Sequence, residues 1–387
     1  MSARESSTDR HHECPQYNGQ FDKADRGCEI GMASPIPKRS IASLMLLTGM
    51  VTAIFTGCAG SASPAPAPSS KVTISTNQTS HVHLLQVLGN GSLLLADQEG
   101  LWHGRSGGDG WTPTGSPLNH MMVTCLARTG NTMLACTTTY AKTFLGSPRG
   151  AWRSTDGGKH WQRVYSLPDL IVTYIVSSPW VPNTFVALTQ PDTTSAGVGH
   201  GGIWVSHSAG LMWTRINSEL SSLTPIGLAL LPGKPYTVLF ASQTGIHRSS
   251  DGGKRWTVDT LNNNIILSFV SSPLQRDLAY AGTTDGIWKT TDAGAHWSRA
   301  FAAPPSYPLV PAHDAPGDLY SYASTQSPYI YRVSGHKGLL RGTAPVSGGQ
   351  LVMSVDPTDA SRVYAAWSFP LRVYESNNSG RTWRKIL

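Results

Sequence analysis

Tryptophan recurs along this chain at positions 111, 161, 213, 256, 297 and 383. The spacings are 50, 52, 43, 41 and 86 residues, and the last is twice 43. A near-constant period of this size marks a repeat architecture, in which units that cannot bury an apolar face alone stack on one another. Ile287–Trp297 aligns without a gap on Ile330–Leu340, which puts Leu340 in the place of the missing Trp and gives seven units. Over residues 81–387 each unit is about 44 residues long, enough for four short antiparallel strands, one propeller blade.

Composition agrees. Charged residues make up 14% of the 387, against about 25% in an average globular protein. There are 39 Gly, 26 Pro and 12 Trp. Low charge with many turn formers and aromatics excludes a helical bundle and a disordered chain. It points to an all-β fold of short strands. The clearest unit reads as strands over Leu351–Val355, Arg362–Trp367, Arg372–Glu375 and Thr382–Ile386. Residues 71–387 are thus expected to form a seven-bladed β-propeller.

Within each unit an aromatic or His precedes the closing Trp by nine positions, as in Trp152/Trp161, His247/Trp256 and Tyr374/Trp383. Between them lies Ser154-Thr155-Asp156-Gly157-Gly158-Lys159-His160-Trp161, and again Ser249 to Trp256 with Asp251. Thr290 to Trp297 repeats it with Asp292. Ser376 to Trp383 carries Asn378, and Ser206 to Trp213 carries Ser208, in the Asp position. These residues resemble the Asp-box, or BNR, repeat found in the propellers of sialidases, xyloglucan-cleaving hydrolases, sortilin-type receptors and photosystem II assembly factors. The resemblance implies a structural role for Asp156, Asp251, Asp292 and Asn378 and for Trp161, Trp213, Trp256, Trp297 and Trp383. The Ser/Thr and Asp oxygens accept turn N–H bonds, Gly supplies a positive φ, and Trp packs between blades.

The first seventy residues read as an address. Residues 1–31 are polar, and Met32 is the expected start. A basic pair at Lys38 and Arg39 precedes an apolar run from Ile41 to Phe55, too short for a membrane span and suited to a signal-peptide core. Residues 32–57 are therefore read as a signal peptide. Phe55-Thr56-Gly57-Cys58 resembles a bacterial lipobox, which implies lipid on Cys58. Residues 58–70 are a Ser/Ala/Pro-rich tether. The expected location is extracytoplasmic, with the membrane touched only through the anchor. Cys125 and Cys136 fall opposite each other around a four-residue turn, either as a disulfide or as two buried thiols.

Antiparallel strands put the first and third turns of each unit on one face and the second turns and interblade links on the other. The long connections Thr139–Gly150, Gln190–Gly202 and Phe301–Ala315 are assigned to the face opposite the Asp boxes. Thr139, Arg149, Asp192, His200, Tyr307 and His313 are the candidate binding positions there, since long loops on a rigid scaffold carry function. Asp314 and Asp318 are assigned to the same face. Basic residues after the Trp, including Arg163, Arg215, Arg299, Arg384 and Lys385, read as charges that guard an outer edge strand.

Chemistry is poorly signalled. Asp97 and Glu99 share one short turn, and Asp285 lies in the equivalent turn of another unit. These are the candidate carboxylates of a glycosidase, which needs a pair at a set separation. The Arg-Ile-Pro type motif of sialidases is missing from residues 71–120. Nothing has zinc spacing, a nucleophile elbow or a phosphate loop, so no metal and no cofactor are expected. The net charge of +7 without a Lys/Arg run argues against nucleic acid. The first expectation is a monomeric, non-catalytic binding or assembly scaffold for a protein or glycan partner. The alternative is a glycoside hydrolase acting through paired carboxylates.

Overall fold

A computed structural model describes residues 73–89, 91–108, 110–115, 117–138, 149–167, 171–190, 201–302, 306–323, 328–335, 337–347 and 349–387. They form seven antiparallel sheets of four strands, each contiguous in sequence. Blade 1 comprises β1 (Val82–Gly89), β2 (Ser92–Asp97), β3 (Leu101–Arg105) and β4 (Thr112–Pro113). Blade 2 comprises β5 (Met122–Thr129), β6 (Thr132–Thr138), β7 (Gly150–Ser154) and β8 (Gln162–Val164). Blade 3 comprises β9 (Ile171–Ser178), β10 (Val181–Gln190), β11 (Gly202–Ser206) and β12 (Thr214–Asn217). Blade 4 comprises β13 (Pro225–Leu231), β14 (Thr237–Ser242), β15 (Gly245–Ser249) and β16 (Thr257–Asp259). Blade 5 comprises β17 (Ile266–Ser271), β18 (Ala279–Thr283), β19 (Gly286–Thr290) and β20 (Ser298–Phe301). Blade 6 comprises β21 (Ser306–Pro311), β22 (Leu319–Ala323), β23 (Tyr329–Ser334) and β24 (Lys337–Thr343). Blade 7 comprises β25 (Leu351–Val355), β26 (Val363–Trp367), β27 (Arg372–Ser376) and β28 (Arg384–Lys385).

The first strands of neighbouring blades touch in a closed ring, β1 against β5 on one side and β25 on the other. The fold is an all-β, seven-bladed propeller. Most of its second strands carry an unbroken apolar run, as in Leu93-Leu94-Leu95-Ala96 and Val238-Leu239-Phe240-Ala241. A strand covered by a blade on each face needs apolar residues on both, so alternation disappears there. The buried side chains fall into seven clusters, one for each pair of adjacent blades.

Five of the third-to-fourth-strand turns share one hydrogen-bond net. Ser154 Oγ accepts from Gly158 N at 2.9 Å, and Asp156 Oδ1 from Lys159 N and His160 N at 3.1 and 3.0 Å. The nets of Asp251 and Asp292 follow the same plan. Asn378 Oδ1 accepts from Arg381 N and Thr382 N at 3.1 and 2.9 Å, and Ser208 Oγ from Met212 N at 2.8 Å. One acceptor oxygen suffices, so Asn and Ser substitute for Asp. Trp161, Trp213 and Trp256 donate their indole N–H to the glycine carbonyl three residues back. The indole N–H groups of Trp297 and Trp383 are buried without an acceptor. Glycine is required twice over at Gly253. Its φ is +95°, and a Cβ would lie 2.6 Å from Cβ of Ile216 in the preceding blade.

Blade 6 departs from the sequence alignment. Ser334 pairs with Lys337, so a two-residue connection replaces the Asp-type turn. Leu340 lies opposite Tyr331, where Arg299 lies opposite Trp288 in blade 5. Leu340 is therefore not the counterpart of a Trp, because the shorter turn shifts the register by two residues. The ungapped match hid the deletion.

The ring closes without exchange of a strand. Val82 and Trp102 of blade 1 share a cluster with Tyr364 and Val373 of blade 7. Phe369 N donates to Ser80 O at 2.9 Å, and Val82 N to Ser368 Oγ at 3.0 Å. Buried Glu375 accepts from Ser106 Oγ and, at 3.2 Å, from Gly107 N. Residues 73–75 form no strand, although Ile74 packs on this cluster.

Candidate functional site

The first strands of blades 1 to 5 line a cavity of about 550 Å3 at the ring centre. A second cavity, about 710 Å3, opens beside it toward the first-to-second-strand turns, where Pro179, Pro273 and Pro357 rim it. Gln86 and Arg128 belong to both walls. Among the described residues neither wall contains an Asp or Glu. The titratable side chains that line them are His83, Arg128, Tyr174 and His313.

Each is held differently. Arg128 Nε donates to Gly130 O at 2.9 Å, within its own turn. His83 Nε2 and Gln86 Oε1 are closed off from solvent with no hydrogen-bond partner. Burial, assisted by the neighbouring His81, lowers the His83 pKa to about 4, so the ring is neutral at neutral pH. Burial also lowers His313, against the opposing pull of Asp356 and Asp314. The cavity thus offers one fixed cation, neutral imidazoles and an amide, a set that suits polar or anionic ligand groups.

The candidate carboxylates lie elsewhere. Asp97 Oδ1 accepts from Glu99 N, Gly100 N and Trp102 Nε1 at 2.8, 2.9 and 3.1 Å. Burial raises its pKa against these bonds, and its Oδ2 has no partner. Burial and the charge of Asp97 raise Glu99. Asp285 Oδ1 accepts from Thr283 Oγ1 at 2.6 Å and Trp288 Nε1 at 2.9 Å. Burial pulls Asp285 upward, but these bonds and Arg299 at 3.5 Å leave it lowered. Asp97 and Glu99 share a turn of blade 1, and Asp285 sits in blade 5, which is not a neighbour of blade 1.

The Trp contact belongs to a recurrence the sequence did not disclose. The third-strand Trp of blades 1, 2, 3 and 5 donates its indole N–H to the end of the second strand or the turn after it. The acceptors are Asp97, Thr137, Thr189 and Asp285. The intervening connections differ in length, which hides the pairing from any fixed-spacing search. In blades 2, 3 and 5 a Thr hydroxyl also donates to the carbonyl of the glycine that opens the third strand.

Thr139, Asp192, His200 and Cys58 lie outside the described residues. Arg149 immediately precedes the third strand of blade 2, and its carbonyl accepts from Arg163 Nη2 at 3.0 Å. The connection assigned to Phe301–Ala315 is not one loop. Residues 306–311, with Tyr307, form β21, the first strand of blade 6. Its prolines are tolerated because a first strand is paired on one side alone. His313, Asp314 and Asp318 therefore fall in the first-to-second-strand turn, on the face of the Asp-type turns and not on the opposite one. There Arg332 bridges Asp314 and Asp318 at 2.7 and 2.8 Å, over the ring of Tyr320. Cys125 and Cys136 are joined by a disulfide between directly opposed residues with Cα atoms 5.0 Å apart. Cys125 lines the central cavity. Among the described residues no group of three His, Cys, Asp or Glu is placed to hold a metal ion.

Solved structures share this architecture. A GH74 enzyme from Niastella koreensis superposes with a TM-score of 0.59 at 14% identity, over 79% of this chain and 55% of that one. YCF48 bound to D1 peptide superposes with a TM-score of 0.50 at 13% identity, over 78% of this chain and 92% of that one. The GH74 xyloglucanase from Xanthomonas campestris gives 0.43 at 14% identity, over 82% and 46%. The chain spans about half the length of the two GH74 proteins. At these identities the likeness is one of fold. No family model matches the chain, and no curated protein matches it in sequence.

Proposed function

We propose that this chain is a non-catalytic binding propeller, exported and held at a membrane by lipid on Cys58, with a protein partner seated on its ring. The third-to-fourth-strand turns are, on this reading, Asp boxes. The observation that carries it is the absence of any carboxylate from the two central cavities among the described residues. A glycosidase needs two carboxyl groups facing one bond. Asp97 and Asp285 are instead engaged as acceptors inside turns of separate blades. That a propeller of this fold, YCF48, holds a D1 peptide supports a peptide or protein as the ligand class.

The test is product analysis by mass spectrometry after the purified protein meets a panel of polysaccharides and sialylated glycans. It pairs with cross-linking of the lipidated protein in its own membrane. No cleavage, with a recurrent cross-linked protein, is the expected result. New oligosaccharides that vanish on changing Asp97, Glu99 or Asp285 would establish the glycoside hydrolase reading instead.

A further inference from the structure

Six of the seven outermost strands are short. They run two residues in β4 and β28, three in β8 and β16, and four in β12 and β20. β24 runs seven, Lys337 to Thr343, and no strand pairs with its outer side among the described residues. Proteins usually blunt such an edge with brevity, charge or a covering element, because its free N–H and C=O groups will template another strand. The four-residue rims β12 and β20 expose Arg215 and Arg299. β24 carries Lys337 and Arg341, but between them it exposes Leu339 and Leu340, at 46% and 69%. Beside it lies a cavity of about 420 Å3 walled by Phe301, Ala302, Tyr329, Tyr331, Gly338 and Leu340.

The cause is the short turn of blade 6. Elsewhere a Trp follows the turn and packs back on the blade. Here that position is Gly338, and a Cβ on it would lie 2.3 Å from the Phe301 ring. The missing indole leaves the aromatic hollow open at the rim. Charge then selects what fits. The segment Lys337–Thr343 carries Lys337 and Arg341 and no acid. Arg341 Nε is closed off from water without an acceptor. The nearby carboxylates Asp314 and Asp318 are already bound to Arg332.

We propose that β24 is a strand-addition site, which takes an extended peptide with alternating acidic and apolar side chains as a fifth strand of blade 6. The peptide backbone pairs with the free edge, an apolar side chain enters the aromatic hollow, and acidic side chains meet Lys337 and Arg341. This surface is separate from the central cavities. Polysaccharide cleavage by the protein would overturn the binding-propeller reading and leave this site standing.

The probe is a fluorescent peptide as long as β24 that alternates Glu with Val and Phe, titrated against the full chain by anisotropy. Three further arms use the same peptide N-methylated at every residue, the same peptide with Lys for Glu, and the variant Leu340→Glu. Saturable binding, weakened at least about tenfold in all three arms, is the expected result. Leu211→Glu, on another blade, should bind as the parent does. Equal binding of the N-methylated peptide would overturn strand addition, since no N–H remains on either of its edges to pair with β24. No binding of the parent peptide would overturn the site. So would a concentration-dependent dimer abolished by Leu340→Glu, because the edge would then serve a second copy of the chain. The two peptide controls need no variant, so a failure of Leu340→Glu to fold leaves the test intact.

Discussion

Glu375 of the last blade accepts the backbone N–H of Gly107 of the first at 3.2 Å, and the hydroxyl of Ser106 through its other oxygen. Tyr364 Oη adds a third bond at 3.1 Å. In blades 2 and 4 the same rung of the third strand holds Arg153 and Arg248, which donate to Ala209 O and Ala293 O in the turn of the next blade. At the closure the polarity is reversed, with a carboxylate receiving N–H and O–H groups. Chain ends with no covalent link between them are joined by this contact and by the shared apolar cluster.

Glu375→Ala leaves Gly107 N and Ser106 without their acceptor in a partly buried interface, so about 1–3 kcal/mol of stability is expected to be lost. Burial pushes the Glu375 pKa up, but its bonds from Ser106, Arg384 and Gly107 leave it lowered. A lowered carboxyl adds stability that is complete above its unfolded value and lost as pH falls through the folded one. Urea denaturation of both proteins at neutral pH and near pH 4 should show the gap narrow in acid. An unchanged midpoint in the variant would remove Glu375 from the closure.

His83 makes a second pH dependence, in a higher window. Its pKa falls to about 4 in the folded chain, from the usual imidazole value of 6.5. Between these values the unfolded chain binds a proton that the folded chain refuses, so stability declines as pH drops from about 6.5 toward 4. At 1.36 kcal/mol per pH unit the ceiling is about 3 kcal/mol, and partial solvent access brings the expected loss to about 1–2 kcal/mol. His83→Gln should flatten this slope in denaturation curves at pH 7 and pH 4.5. A slope equal to that of the parent would show that His83 titrates normally.

Gly253→Ala combines an unfavourable φ of +95° with a Cβ 2.6 Å from Ile216. The expected cost is about 2–3 kcal/mol, read from the thermal or denaturant midpoint. Gly130→Ala shares a positive φ but meets nothing within 4 Å, so its cost should be the smaller. Equal losses would mean that backbone strain alone sets the effect.

Reduction of the Cys125–Cys136 bond, whose residues are 11 apart, should lower stability by about 2–3 kcal/mol. The double variant Cys125→Ala/Cys136→Ala should lose sensitivity to reductant in the same denaturation assay. A midpoint that ignores reductant in the parent would argue that the thiols are not joined in solution.

The seven-fold repeat was legible from Trp spacing, because six of the seven blades meet the same demand with one Trp after the turn to fill the gap to a neighbour. The blade strands were legible to within a residue or two at Leu351–Val355 and Arg362–Trp367 for the same reason. Local chemistry also carried the turns, since Ser154, Asp156 and Gly158 meet their partners within four residues. The opposition of Cys125 and Cys136 followed from one turn length. What the sequence concealed was non-local. Leu340 looked like a lost Trp until pairing with Tyr331 exposed a two-residue deletion. Tyr307 and His313 looked like one loop until Pro308 and Pro311 were seen in a first strand. Asp97 and Asp285 looked like free carboxylates until Trp102 and Trp288 were found on them.

By itself, then, the order of residues determined how many blades form and, outside blade 6, where their Asp-type turns lie, because those rest on contacts between residues close in the chain. Tertiary structure alone decided how the ring closes, which carboxylates are already engaged, and that the central cavities have no acid in their walls among the described residues. It also decided that blade 6 leaves a bare edge. These depend on groups from distant segments brought within bonding distance, and no spacing along the chain encodes the direction in which a side chain points once the ring has closed.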